Sequence, residues 1–381
     1  MFRVVLRKEV VKPFKRKPYS SAEKEMNCRK VPSPCAGSFC YGNTLPSLFR
    51  FCLSISIWLL VLGESTVMAS PETFKGPLKT RNQFPAFMMF INPMPASPVP
   101  LSEKEIRLSP AIDYSSVYVN QDSGNWEVLM DMELTVIDLM MAYGITKNLT
   151  LSFQPVFVHM SDGFMDNFLE TYHDRLGVSN DGRENRPQDA FGYFISYDNQ
   201  NWVTGKKEGL HPIDSLITAK YGLLRSSQSI PLDLSVAYNL KIPLGDPEYG
   251  FGSGEWDHGI HFLSRIHFDP VALYLNGGYN FLSDPETNGA DIRVDDTISL
   301  FAGLEYGYSP DLSVIIQMNY VSSPFQDVEF SRFEAGGPAL DMGFVYRVSR
   351  NTDVEFSFGE DLAAGSVPDF TFHLRVSYSL P

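Results

Sequence analysis

Cysteine is almost absent from this sequence. Its four cysteines, Cys28, Cys35, Cys40 and Cys52, all lie near the N-terminus, and none follows in the rest of the 381-residue chain. A thiol nucleophile, a thiolate metal site and a disulfide are therefore excluded from everything after residue 52.

Basic residues are scarce after the N-terminal stretch. Residues 1–69 carry 11 Lys/Arg against 4 Asp/Glu, whereas the remaining 312 residues carry 20 against 41. The first stretch is thus basic and the rest of the chain has a net charge of −21. Because like charges repel, we expect no nucleic-acid partner for this acidic part.

Long apolar runs are also missing, since no stretch of eighteen apolar residues follows residue 69, which excludes a transmembrane helix there. The apolar run FCLSISIWLLVL, residues 51–62, is too short to span a bilayer. Arg50 precedes it, and Val67 and Ala69 are small residues at −3 and −1. We predict a secretory signal within a leader over residues 1–69, cut after Ala69, with an organelle transit peptide as the alternative. The length of the leader also predicts a later start, for which Met26 is one candidate.

Alternation of apolar and polar residues is abundant instead. In LDLSVAYNLKI, residues 232–242, every second position is Leu, Val, Tyr or Ile. Residues 312–320, 340–348 and 370–380 repeat this pattern, which predicts β-strands. A soluble secreted sandwich and an outer-membrane barrel would both show it.

Three features favour the barrel. The expected strands are about nine to fifteen residues long, and a tilted membrane strand needs about nine to eleven. Short and long connections alternate along the chain. Tyrosines recur near the ends of apolar faces, as aromatic girdles require: Tyr143, Tyr279, Tyr306, Tyr320, Tyr346 and Tyr378.

The sequence therefore predicts an all-β protein over residues 105–381, a transmembrane antiparallel up-and-down β-barrel of about twelve strands in the outer membrane. A long loop is expected at 161–212, with a hairpin at 191–203. A slip of phase predicts a bulge at Ile137–Asp138. The strands are expected at 106–119, 126–143, 148–160, 213–224, 231–242, 256–268, 270–281, 296–308, 311–321, 339–348, 352–359 and 369–380.

Residues 70–104 are rich in proline, and proline at that density excludes a regular strand or helix. The segment is also apolar, and this favours packing over a loose tail. It is either a plug inside the barrel or a cap on its periplasmic mouth.

Short motifs spread over residues 75–380 resemble those of the bacterial family known as domain of unknown function 3187, which is grouped with outer-membrane barrels. The resemblance implies a barrel in the envelope and no particular reaction. One departure is the C-terminus, since many outer-membrane proteins end in an aromatic residue and this chain ends in Leu380-Pro381. The motifs are RNQFP (81–85), DYSSVY (113–118), WEVLMDMELT (126–135), FGSG (251–254), DPET (284–287), SSP (322–324), EDL (360–362) and PDFTFHL (368–374).

Ionisable residues of both signs are expected on the inward faces. They either set the selectivity of a solute path or pair with one another and fill a lumen that about twelve strands leave narrow. The expected lumen-lining residues are Asp131, Glu133, Asp233, Lys241, Arg265, His267, Glu305, Asp341, Arg347, Asp353, Glu355, His373 and Arg375.

The large loops are acidic and could hold Ca²⁺ or Mg²⁺ loosely beside lipopolysaccharide. No run matches a defined calcium loop, so a solvated surface is the first interpretation, and we expect no cofactor and no dedicated metal site.

His159 and Ser161 form an H-x-S-D-G run that resembles the H-x-S-N-G motif of outer-membrane phospholipases and lipid A deacylases. Asp162 stands in place of the Asn, and no residue can be assigned to orient the histidine. A following amphipathic pattern that ends at Gly177 predicts a helix with Ser161 or Asp162 as its N-cap. A helix N-cap at this position would account for the H-x-S-D-G run without any catalytic role.

Three functions are consistent with this sequence. The first is a passive or gated conduit for small or apolar solutes, and the second is a lipid hydrolase that uses His159 and Ser161. The third is a structural envelope protein that contacts lipopolysaccharide. Expected partners are outer-membrane lipid and lipopolysaccharide of a Gram-negative cell, the barrel-assembly machinery and a small solute.

Overall fold

The structure is a computed structural model that describes residues 74–177, 180, 182–227, 229–287, 289–325, 331–334, 336–362 and 366–380. The expected signal and the cut after Ala69 lie outside these residues.

Each alternating stretch of the sequence forms a β-strand. Twelve of the fourteen strands close into one antiparallel barrel, in which β1 pairs with both β2 and β14. The short hairpin β4–β5 extends the sheet from β2. The strands are β1 (Ile106–Ser123), β2 (Trp126–Thr146), β3 (Leu149–Ser161), β4 (Gly192–Tyr197), β5 (Gln200–Thr204), β6 (His211–Leu224), β7 (Leu232–Ile242), β8 (Asp257–Phe268), β9 (Val271–Phe281), β10 (Thr297–Gly307), β11 (Leu312–Val321), β12 (Ala339–Ser349), β13 (Thr352–Asp361) and β14 (Phe370–Leu380).

The structure confirms the twelve-strand barrel, and it also contains the hairpin expected within the long loop. The helices are α1 (Pro85–Met88), α2 (Asp166–Leu176) and α3 (Ser331–Glu334), with 3₁₀ turns at Arg183–Asn185 and Pro247–Tyr249. None of these helices in the described part of the chain is long and apolar enough to cross a bilayer.

The two ends of the barrel differ. At one end, here called the turn end, Ile106 of β1 lies opposite Leu380 of β14, and short turns join the strands. At the other end, the loop end, lie the long connections. Both ends of the barrel chain thus meet at the turn end, which faces the periplasm in barrels of this kind.

The outer wall is apolar. Leu275, Leu300 and Met318 are between 44% and 52% exposed, as are many other outward side chains. An apolar belt of this size is unfavourable in water and favourable in lipid. The barrel therefore spans a membrane. Of the six tyrosines assigned to girdles, five are exposed large side chains on this wall, near the turn end or the loop end: Tyr143, Tyr279, Tyr320, Tyr346 and Tyr378.

The bulge expected at Ile137–Asp138 was wrong. Strand β2 pairs with β1 without interruption from Tyr143 opposite Ile106 to Trp126 opposite Ser123. In the half of β2 nearer the loop end, the inward side chains are apolar and pack in the core. The outward side chains of the same half are covered by the long loop.

That loop lies against the outer wall of β1, β13 and β14. The buried Arg183 side chain bonds to Asp166 at 2.5 Å, to Asp369 at 2.5 Å and to Ser116 of β1 at 3.1 Å. Burial by itself would lower the pKa of Arg183, but Asp369 and Asp166 outweigh it and raise the pKa. Arg183 therefore stays charged and ties the loop to the wall.

Candidate functional site

The proline-rich stretch of residues 74–104, here called the lumen segment, lies inside the barrel. It begins at the turn end, where Phe74 packs on Ala272, Tyr274 and Phe301. It rises to the loop end, reverses direction and returns to enter β1 at the turn end. The segment therefore lies as a plug inside the barrel and not as a cap on its periplasmic mouth.

Polar side chains of the wall bind the backbone of the rising leg. Glu305 accepts from Lys75 N at 2.7 Å and Gly76 N at 3.1 Å. Gln317 accepts from Leu78 N at 3.0 Å and donates to the Leu78 carbonyl at 3.1 Å. Each bond occupies a backbone group that has no partner in a strand ladder.

Other polar side chains of the wall bind the next part of the leg. Glu355 accepts from Lys79 N at 2.6 Å, and Asp341 accepts from the Thr80 hydroxyl at 2.8 Å. Arg375 donates to the Lys79 carbonyl at 3.2 Å. Buried backbone polar groups need such partners, so the wall replaces the bonds that a sheet would provide.

At the loop end the lumen segment turns within an apolar core. Phe84, Phe87 and Met89 are buried there against Trp126 of β2 and Phe325 of the β11–β12 connection. Helix α1 is a single turn that starts at Pro85, where the missing N–H costs nothing. This core closes the loop end of the lumen.

A buried ion cluster supports the reversal. Lys241 Nζ lies 2.8 Å from Asp214 and 2.9 Å from Asp257, and it donates to the Met89 carbonyl at 2.9 Å. Asp257 in turn accepts from Ile91 N at 3.1 Å. Three charged side chains with almost no exposure therefore hold both sides of the reversal.

The descending leg is bound in the same way. Asn276 accepts from Ala96 N at 3.0 Å, and Thr150 accepts from Leu101 N at 2.8 Å. Lys220 donates to the carbonyls of Ser97 at 2.8 Å and Val99 at 2.9 Å. The prolines of this leg have no N–H group, so at those positions the carbonyl is the only backbone group that needs a partner.

Eleven of the thirteen expected lumen-lining residues face the lumen. Asp233 pairs with Arg265 at 2.7 Å, and the His373 Nε2 atom lies 3.0 Å from Glu355. His267 packs its ring against Phe74. Lys241, Glu305, Asp341 and Arg375 bind the lumen segment, while Arg347 and Asp353 pair at 3.2 Å near the turn end and remain partly exposed.

Asp131 and Glu133 lie elsewhere, and their assignment to the lumen is corrected. Both face outward from β2 and are buried under the long loop. Arg186 of that loop pairs with Asp131 at 2.5 Å. Glu133 accepts from Phe164 N at 3.0 Å and Met165 N at 2.6 Å. Because β2 has no bulge at residue 137, these two carboxylates share the face opposite to Asp138.

Several lumen residues escaped the sequence reasoning because they are neutral or belonged to the supposed bulge. Gln317, Asn276 and Thr150 carry no charge, yet they bind the segment as directly as Glu305 does. Asp138, which pairs with Arg81, was masked by the wrong phase. The inward phase of each strand is the signal that could have identified all four.

A cavity of about 550 Å³ remains between the lumen segment and the wall near the turn end. Lys79 and Met94 of the segment line it, together with Lys220, Asp233 and Arg265 of the wall. The rest of the lumen is largely filled by the segment and the side chains that bind it.

His159 and Ser161 form no pair with each other in the structure. His159 Nδ1 lies 3.0 Å from the carbonyl oxygen of Gly209, and no hydrogen bond joins the two side chains among the described residues. Helix α2 begins at Asp166 after Met165, so the N-cap expected at Ser161 or Asp162 was wrong. Asp162 instead pairs with Lys207, which lowers the pKa of that exposed carboxyl.

Acidic loop residues are used within the loops. Asp246 accepts from Glu248 N at 3.1 Å, and Asp284 accepts from Val294 N at 3.0 Å. Across the described ranges, no group of three His, Cys, Asp or Glu side chains is placed to hold a metal ion.

A family model described as Protein of unknown function (DUF3187) matches residues 51–380. No curated protein sequence matches the chain.

The fold is similar to several solved barrels. The COG4313 outer membrane channel from Pseudomonas putida F1 is 15% identical, with a TM-score of 0.49 over 75% of this chain and 99% of that one. The KdgM porin is 9% identical, with a TM-score of 0.39 over 72% and 99%. The toluene transporter TodX of P. putida is 9% identical, with a TM-score of 0.35 over 74% and 92%. Likeness at this level describes the fold alone.

Proposed function

We propose that this chain, which belongs to the DUF3187 family, is a gated outer-membrane conduit for small solutes that its own lumen segment holds closed. The observation that carries the proposal is the way the segment is held. Inward polar side chains of many strands bind its backbone, and the segment joins no sheet.

The wall does not need the segment in order to close. Strand β1 pairs with β14 and with β2 through continuous ladders, so the ring is complete by itself. About eight strands already give an interior that side chains can fill, and twelve give a wider one. Removal of the segment would therefore leave a path lined by polar groups.

The contacts of the segment can also be exchanged. Neutral hydrogen bonds such as those between Leu78 and Gln317 can be replaced by bonds to water at a small net cost of about 0.5–1.5 kcal/mol each. The apolar core around Phe84 and the cluster around Lys241 are the stronger anchors. Opening from the turn end inward is thus the least costly movement.

Conductance across planar bilayers tests the proposal. The full chain should show small or rare currents, and a variant that lacks residues 70–104 should show large, steady ones because the path is then open. Absence of current in both forms would contradict a conduit.

A disulfide cross-link tests gating by the lumen segment without deleting it, so this test does not depend on the folding of the deletion variant. Leu78 of the segment packs with Val345 of β12 in one buried cluster. The double variant Leu78→Cys/Val345→Cys places the only thiols after the leader, since no native cysteine lies there. Oxidation should silence the currents of the full chain and reduction should restore them, whereas the Val345→Cys variant alone should not respond. Equal gating in the oxidised and reduced double variant would refute control by the segment.

A further inference from the structure

The cavity at the turn end concentrates positive charge in an acidic protein. Seven Lys/Arg and three Asp/Glu side chains line it. Residues 70–381 contain only 20 Lys/Arg against 41 Asp/Glu. A third of all the basic residues of that part therefore surrounds one cavity, while fewer than a tenth of the acidic residues do.

The three carboxylates of the lining are already paired. Glu105 lies 2.9 Å from Arg107, Asp233 lies 2.7 Å from Arg265, and Asp353 lies 3.2 Å from Arg347. These pairs leave four cations over. Among the residues that the structure describes, the four have no carboxylate within ion-pair distance: Lys75, Lys79, Lys220 and Arg225.

Three of the four excess cations, Lys79, Lys220 and Arg225, lie close together. Lys220 is near enough to Lys79, Arg107 and Arg225 to be repelled by each of them. The ammonium groups of Lys220 and Lys75 donate to neutral carbonyls, those of Ser97, Val99 and Pro310. A partly buried group of like charges is unfavourable unless an opposite charge enters.

The size of the cavity agrees with a small ligand. Its volume of about 550 Å³ lies within the range of about 300–1,000 Å³ that small-molecule sites occupy. Arg225 and Lys75 lie near the short turns, so the mouth opens at the turn end. Ammonium and guanidinium groups both bind phosphate and carboxylate oxygens through charge-assisted hydrogen bonds.

We propose that this cavity binds a small anion that carries two or more negative charges on phosphate or carboxylate groups and that enters from the turn end. The proposal deepens the proposed function by naming the class of solute, and for its role in transport it rests on that function. Binding itself needs only the closed protein.

Calorimetric titration of the folded full chain with inorganic pyrophosphate and with citrate tests the inference and distinguishes phosphate from carboxylate ligands. At least one probe should bind, and more weakly as salt screens the charges. Lys79→Gln and Lys220→Gln should each lower the affinity by about tenfold, since each removes a charged donor. Lys79→Arg, which keeps the charge, should bind nearly as well as the native chain.

Lys147→Gln is the matched control, because Lys147 is exposed in the β2–β3 turn at the same end and does not line the cavity. It should leave the affinity unchanged. The inference is overturned if neither probe binds, if both Gln variants bind like the native chain, or if Lys147→Gln loses as much affinity as they do. Binding without conductance in any form would refute the conduit and keep the site, whereas conductance without binding would do the reverse.

Discussion

Replacing Lys241 by methionine should loosen the reversal of the lumen segment and destabilise the barrel. Methionine is unbranched and only one atom shorter than lysine, and it carries no charge. Lys241 is 1% exposed, and its ammonium group contacts Asp214, Asp257, Ser253 and the Met89 carbonyl. The change leaves two carboxylates buried side by side without their cation.

The size of the effect follows from that burial. Asp214 and Asp257 are 1% and 0% exposed in their side chains, so water does not replace the lost cation. Removing one partner from a buried ion pair costs about 3–5 kcal/mol. We therefore expect the free energy of unfolding in urea, measured in lipid vesicles, to fall by about that amount.

The same variant should open more often. The Met89 carbonyl loses its donor, and the reversal of the segment loses its link to β7. In planar bilayers Lys241→Met should therefore show more frequent currents than the native chain. Lys207→Met is the control, because Lys207 forms an exposed pair with Asp162 and should change neither measurement noticeably.

A second substitution tests the electrostatic reasoning directly. Asp257→Asn added to Lys241→Met removes one of the two stranded charges and should recover part of the lost stability. The reasoning is refuted if the single variant unfolds at the native urea concentration, or if the double variant is no more stable than the single one.

Three further substitutions probe the core, the long loop and its contact with the wall. Trp126→Ala should lower the free energy of unfolding by about 3–5 kcal/mol because a buried aromatic ring is lost, whereas Trp256→Ala, at 49% exposure, should have little effect. Arg183→Gln should free the long loop from the outer wall and expose it to limited proteolysis; an unchanged cleavage rate would contradict the tie. Gly163→Ala should release the same loop, because Gly163 has a φ of +72° and a Cβ there would lie 1.9 Å from the Glu133 carboxyl carbon; native protease resistance would argue against it.

The barrel was predictable because strand periodicity is a local property. Each stretch such as 232–242 shows its two faces within its own residues, and a membrane barrel repeats that pattern from strand to strand. The inward charges of Asp233, Lys241 and Arg265 could be assigned for the same reason. Their partners could not, since Lys241 binds Asp214 and the Met89 carbonyl, which lie far away along the chain.

The errors arose where the solvent changes along a strand. The inward face of β2 is polar at Asp138 and apolar at Leu134, and this looked like a slip of phase. The outward carboxylates of Asp131 and Glu133 are covered by a loop that folds back from residues 162–190. The local sequence pattern of a strand does not indicate that a distant loop covers its outward face.

The sequence by itself determined that this chain makes long amphipathic strands, that an acidic part without cysteine follows a basic stretch over residues 1–69, and that residues 70–104 form neither strand nor helix over most of their length. Those properties depend on neighbouring residues alone. Only the tertiary structure decided that the proline-rich segment fills the lumen and that Lys75, Lys79, Lys220 and Arg225 surround one cavity. These residues are up to 150 positions apart in the sequence, and closure of the barrel is what brings their charges together.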